Sequence, residues 1–157
     1  MKPVLIVNPN GSKQTTKDMV GIGSQYLPDV IGWTNRKGPK MIVDQEQLCE
    51  ASNQISKAVF PDASALIVAG FGDPGANSLA RKIDIPVIGI GAAAAREASL
   101  SRVSFAVVTT TPKLIPSIDK LMRAKGGDTY IGCYTTDDDP LVLASEPDAL
   151  DYALITS

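Results

Sequence analysis
Four short aliphatic runs, each closed by a turn and followed by a helix-like stretch, set the layout of this 157-residue chain. Residues 4–7 stop at Asn8-Pro9-Asn10-Gly11, and residues 65–69 stop at Gly70-Phe71-Gly72-Asp73-Pro74-Gly75. Residues 86–90 run into Gly91, and residues 105–108 end at Thr109-Thr110-Thr111-Pro112. These runs are apolar at successive positions rather than at every second one, as in strands buried on both faces. Such strands alternating with helices predict an α/β fold, a parallel sheet with helices on both of its faces. Ligands of such folds bind beyond the carboxyl ends of the strands, so the polar, glycine-rich turns are where chemistry is expected.

Further strands are expected over residues 30–34, 129–134 and 153–155. Helices are expected from a cap at Thr15 or Thr16 to about Tyr26, over 44–60, in a short stretch ending at Lys82, over 92–100, and over 112–125. Pro112 suits the first turn of the last of these, and Gly126-Gly127 closes it. The run before Asn8-Pro9 echoes the one before Thr109-Thr110-Thr111-Pro112. Residues 65–70 likewise echo residues 153–157, in the same order along the chain. Two pseudo-symmetric lobes facing one another across a cleft, residues 1–91 and 92–157, fit that echo. Aliphatic strands also resemble one another by chance, and the echo alone does not choose.

Composition narrows the chemistry. Fifteen Lys and Arg stand against seventeen Asp and Glu, a net charge of −2, which argues against a nucleic-acid partner. The longest uncharged stretch, residues 85–95, is too short to cross a bilayer, and the amino terminus has no signal-peptide layout. A soluble, cytoplasmic protein without a membrane partner is the expectation. There is no histidine, so no His-based triad or imidazole proton shuttle is available. Proton transfer near neutral pH falls to Cys, a shifted carboxylate, Lys or Tyr. The two cysteines, Cys49 and Cys133, form no CxxC pair and read as small, buried, reduced hydrophobes.

Each turn has two readings. Gly70 to Gly75 satisfies GxGxxG after a strand, but Pro74 removes an amide and Asp73 places negative charge where a phosphate would lie. Asn8, Asn10 and Ser12 either hold a carboxylate or imide, or simply form a turn with permissive dihedrals. Thr109, Thr110 and Thr111 either cap a helix or line a site. Asp137-Asp138-Asp139 before Pro140 reads as a solvated loop, not a metal site, because sequence neighbours do not converge on one ion.

Taken together, Val7-Asn8-Pro9-Asn10-Gly11-Ser12 with Met19, Phe71-Gly72-Asp73-Pro74-Gly75, and Val107-Val108-Thr109-Thr110-Thr111-Pro112 resemble the hydantoin racemases of the aspartate/glutamate/hydantoin racemase superfamily. Pro86-Val87-Ile88-Gly89-Ile90 and Pro140-Leu141-Val142-Leu143 also sit where that family has strands. The resemblance implies two α/β lobes meeting at a cleft, with no cofactor. It also implies two opposed cysteines, one taking the α-proton of a carbonyl compound as thiolate and one returning a proton to the other face. Asn8, Asn10, Ser12, Phe71, Asp73, Thr109, Thr110 and Thr111 are then the expected substrate-binding residues.

The chain departs from this pattern at its centre. The family's first cysteine precedes the Phe-x-Asp-Pro-Gly segment, where this chain has Gly70; the second, at the end of a late strand, matches Ser157. Glycine has no side chain, and a free serine hydroxyl is far too weak a base to replace a thiolate unaided. The family's Gly-Ile-Cys-Glu reads Gly-Ile-Gly-Ala over residues 89–92. Three readings follow: a cofactor-independent racemase with altered acid–base groups; an inactive relative binding a small carboxylate, hydantoin or ureide; or a shortened product completed by self-association. A lobe ending at Ser157 has no return helix over its sheet, so a homo-oligomer is expected.

Overall fold
The computed structural model describes residues 2–137 and 139–156. The chain divides into two compact units, one of residues 1–42 and 46–93 and one of residues 43–45 and 94–157. It is mixed α/β with parallel sheets and helices on both faces, as the aliphatic runs require.

In the first unit, β1 (Val4–Asn8), β2 (Val30–Thr34), β3 (Ala65–Val68) and β4 (Val87–Gly89) form a parallel sheet in the order β2-β1-β3-β4. Central β1 buries Leu5, Ile6, Val7 and Asn8, which explains its unbroken apolar run. Leu5 and Val7 join Leu66 and Val68 of β3 in a core closed by Ile55 of α2 (Gln45–Ser56) and by Ala76 and Leu79 of α3 (Ala76–Ala80). Helix α1 (Lys13–Gly23) covers the opposite face, where a Cβ at Gly23 would lie 3.0 Å from Ile6 Cδ1. Edge strand β2 holds Trp33 edge-on against Phe60, with ring centroids 5.1 Å apart. Helix α4 (Ile90–Leu100) follows β4 directly.

In the second unit, β5 (Phe105–Thr109) and β6 (Tyr130–Thr135) pair in parallel, with an irregularity between Phe105 and Ala106. Helix α5 (Ile115–Gly126) packs on them through Ile118 and Met122. Gly126 lies so close to Phe105 that a Cβ would stand 2.6 Å from its ring. Tyr130 donates to Asp119 Oδ1 at 3.0 Å, and Arg123 grips the same carboxylate while lying 5.5 Å from the Tyr130 ring.

Three expectations are corrected. Helix α1 is capped by Ser12, whose Oγ accepts from Thr15 N at 3.1 Å, and not by Thr15 or Thr16. The strands expected over residues 140–143 and 153–155 are helices, α6 (Pro140–Leu143) and α7 (Pro147–Thr156). Asp139 caps α6 by accepting from Leu141 N at 2.8 Å and Val142 N at 3.3 Å, with Pro140 in the first turn. In α7, Ala149, Leu150, Ala153 and Leu154 are good helix formers, and three successive apolar residues do not outweigh them. The echo therefore joins a strand, residues 65–68, to a helix, residues 153–156.

Candidate functional site
The turns after β1 and β3 gather most of the residues singled out from sequence. Asn8 is fully buried, and its amide is spent on its own loop and on the first turns of α1. Nδ2 donates to Asn10 Oδ1 at 2.9 Å, Ser12 O at 3.0 Å and Thr16 Oγ1 at 3.0 Å, while Oδ1 accepts from Asn10 N at 3.1 Å. Asn10 Oδ1 also accepts from Ser12 N at 2.9 Å. Asn8 thus shapes the turn, and Asn10 and Ser12 hold the start of α1.

The loop after β3 bends sharply at Gly72 (φ 119°), Asp73 (φ 51°) and Gly75 (φ 79°). Left-handed backbone is costly for a residue with a Cβ, yet Asp73 adopts it because its carboxylate is held at both oxygens. Oδ1 accepts from Gly91 N at 2.8 Å and Oδ2 from Ala92 N at 2.7 Å, so Asp73 ties the loop to the amino end of α4. Gly89 makes this possible, since a Cβ there would overlap the Asp73 carboxylate. This carboxylate is a structural clasp in the present geometry.

Gly70 faces the turn after β1. A Cβ on it would run into the ring of Pro9, which is fully buried and held at its carbonyl by Asn35 Nδ2 at 2.9 Å. Among the described residues, the amides of Gly70, Phe71 and Gly72 donate to nothing, and Phe71 is partly exposed. Three N–H groups at the carboxyl end of a parallel strand can receive an oxyanion or imide oxygen.

Asn35 was not expected. It is buried at the end of β2, with Nδ2 reaching both Pro9 O and Gln54 Oε1, the latter at 2.6 Å, and N donating to Asn8 O at 3.0 Å. The available signal was its position, an asparagine ending a strand before Arg36-Lys37-Gly38-Pro39, as Asn8 ends β1.

In the second unit, Thr109 and Thr111 satisfy each other, Oγ1 to Oγ1 at 2.8 Å, and Thr111 N donates to Thr109 Oγ1 at 3.2 Å. The helical turn at residues 112–114 receives no side-chain cap from Thr111. Thr136, beside them through Thr136 N to Thr109 O at 3.2 Å, buries a hydroxyl that has no hydrogen-bond partner among the described residues. Burial, and then the negative Asp119, push the Cys133 thiol upward, so at neutral pH it is a thiol and not a thiolate. The expectation that both cysteines are buried is corrected: Cys49 is exposed on α2, on the side of the helix turned away from the core residues Ala51 and Ile55, and Cys133 is only partly buried. Ser157 lies outside the described residues, as does Asp138 of the acidic turn. Among the described residues, no cluster of three His, Cys, Asp or Glu could hold a metal ion, and no helix is long and apolar enough to cross a membrane.

The sequence profile of the family Asp/Glu/Hydantoin racemase matches residues 4–147. The hydantoin racemase of Paenarthrobacter aurescens is 28% identical over 133 residues, 78% of this chain and 56% of the relative. That of Pseudomonas sp. (strain NS671) is 23% identical over 130 residues, 78% and 52% respectively. This chain thus spans about half the length of the curated relatives it matches. Among solved structures, allantoin racemase from Pseudomonas fluorescens superposes with a TM-score of 0.88 at 24% identity, covering 98% of this chain and 68% of that one. Allantoin racemase from Klebsiella pneumoniae gives 0.80 at 21%, covering 98% and 66%. At these identities the solved structures establish the fold.

Proposed function
Because the chain belongs to the Asp/Glu/hydantoin racemase family, we propose that it binds a small carboxylate, hydantoin or ureide at the turns after β1 and β3 without exchanging the ligand's α-proton. One observation carries this reading. At the position where the resemblance expects the first cysteine, Gly70 offers no side chain, and its Cβ direction is filled by the Pro9 ring. The nearest carboxylate in that loop, Asp73, already has both oxygens on backbone amides, so it is poorly placed to serve as a base. The amides of Gly70, Phe71 and Gly72, without partners among the described residues, supply the binding chemistry of the first unit, and Thr109, Thr110 and Thr111 after β5 are the ligand-contacting hydroxyls of the second. The reading requires no cofactor, because the polar groups of the ligand are met by amides and hydroxyls alone. A cytoplasmic homo-oligomer belongs to the same proposal; exposed Val142, Tyr152 and Ile155 on α6 and α7 support self-association.

The second reading, a cofactor-independent racemase, is favoured by the two relatives named hydantoin racemases. Incubation in heavy water with L-5-substituted hydantoins, allantoin and L-aspartate separates the two. Thermal stabilisation by one of these ligands with no deuterium at its α-carbon is expected. Deuterium uptake with loss of optical rotation would establish the racemase instead.

A further inference from the structure
A cavity of about 690 Å³, lined by none of residues 8–12 or 70–75, lies around the free edge of β2 and the outer side of α2. Its charge is opposite to that of the molecule. Lys13, Arg36, Lys37 and Lys57 line it against the single acid Glu50, in a chain whose net charge is −2. Among the described residues, none of the four cations makes an ion pair or a hydrogen bond through its side chain. Glu50 accepts from Gln54 Nε2 at 2.9 Å, on its own helix.

The wall between these cations supplies further donors. Val4 N donates to Asp29 O and Asn35 N to Asn8 O, so the odd-numbered residues of this segment turn their peptide groups toward β1. In a strand the next residues turn theirs the other way, so the N–H groups of Gly32 and Thr34 point outward from the edge, in alternation with their carbonyl oxygens. Both residues line the cavity, and no strand among the described residues pairs with that edge. Trp33 adds a half-buried aromatic ring, and Asn53 an amide. Unpaired like charges around one concavity repel and raise its potential, which an anion relieves.

From this juxtaposition we infer that the cavity binds a small multivalent oxyanion, a di- or tricarboxylate or a phosphate ester, at a site separate from the turns after β1 and β3. Lys13 and Lys57 approach from α1 and from the end of α2. Arg36 and Lys37 approach from the turn after β2, with Arg36 able to take two oxygens at once. The volume suits a metabolite-sized ligand. Asn35, also in the lining, joins Gln54 to the Pro9 carbonyl, so an occupied cavity adjoins the support of the first turn.

Trp33 is the chain's one tryptophan, which makes its emission a reporter of this cavity. The full chain is titrated with citrate and, separately, with inorganic pyrophosphate, each against acetate and chloride at equal ionic strength. A saturable change in Trp33 emission with citrate or pyrophosphate but not with the monovalent ions is expected. The tighter of the two identifies carboxylate or phosphate as the preferred group. Arg36→Gln and Lys57→Gln alter exposed side chains, and circular dichroism verifies that each folds. Each should weaken binding about fivefold or more, the loss of one charge-assisted contact. The inference is overturned if neither anion gives a saturable change, or if binding survives both substitutions unchanged. It is also overturned if the Trp33 signal tracks protein concentration instead of anion, which would place another polypeptide along the β2 edge.

Discussion

Replacing Gly70 by alanine adds one carbon, and the surroundings of that carbon decide the result. Its position overlaps Cγ of Pro9 and lies 3.3 Å from Cδ of the same ring and 3.4 Å from Cδ of Pro74. Pro9 is among the fully buried side chains, and its carbonyl is pinned by Asn35, so the ring has no open space into which to retreat. Forcing a methyl group into such a contact costs about 1–3 kcal/mol. The stiffer unfolded chain of the alanine variant returns about 0.4–1 kcal/mol. The net expectation is a destabilisation of about 1–2 kcal/mol, and a melting temperature lowered by about 3–6 °C for a chain of this size.

The cause can be isolated with a second substitution. Pro9→Ala removes the ring, so the same methyl at residue 70 then enters vacant space. Urea unfolding of the wild type, Gly70→Ala, Pro9→Ala and the double variant forms a cycle whose coupling energy is expected at about 1–2 kcal/mol in favour of the double variant. A Gly70→Ala variant as stable as the wild type would refute the steric account, as would a coupling below about 0.5 kcal/mol. Gly70→Cys is expected to follow Gly70→Ala in stability and to give no gain in α-proton exchange over the wild type, because a thiol forced against Pro9 is not free to meet a substrate.

Other substitutions report on the remaining contacts. Asp73→Ala should lose about 2–3 kcal/mol in urea unfolding, since two charge-assisted bonds to the start of α4 disappear; a change under about 0.5 kcal/mol would deny the clasp. Asn8→Ala leaves several partners unpaired around a buried void and should cost about 2–4 kcal/mol by the same measurement. Burial raises the Tyr130 phenol above its ordinary value of 10.0, with the hydrogen bond to Asp119 acting in the same direction, and burial likewise raises Cys133 above 9.0. A raised folded-state value stabilises fully below the unfolded value and is lost as pH climbs through it, so stability should fall from about pH 9 upward. Tyr130→Phe should flatten that decline above pH 10, and an unchanged alkaline limb would contradict the assignment.

Legibility from sequence tracked the range of the interactions. β1 and β3 are evident because strands inside a parallel sheet need apolar residues on both faces, and little else produces runs such as Val4-Leu5-Ile6-Val7; β5 has the same run of apolar residues but lies in a two-stranded sheet with Ala106 and Val108 exposed. The tail was misread because Ala153-Leu154-Ile155 suits a strand or a buried helix equally, and a three-residue window carries no period. The turns were located correctly as loops, but their partners were not, since a hydrogen bond from Asp73 to Gly91 and Ala92 leaves no local pattern. Asn35 was hidden for the same reason. The cations of the β2 cavity come from three separate segments, Lys13, Arg36-Lys37 and Lys57, and are invisible to any count of net charge.

Gly11 and Gly38 sit where two stretches of main chain touch. A Cβ on Gly11 would meet Gly38 O at 2.6 Å, and one on Gly38 would meet Pro9 O at 2.8 Å, while Gly11 N donates to Pro39 O at 2.7 Å. The two segments are therefore a matched pair, like mating halves of a fastener, and neither can be exchanged alone. Anyone transplanting the first into a longer homologue must carry residues 35–39 along with residues 8–12.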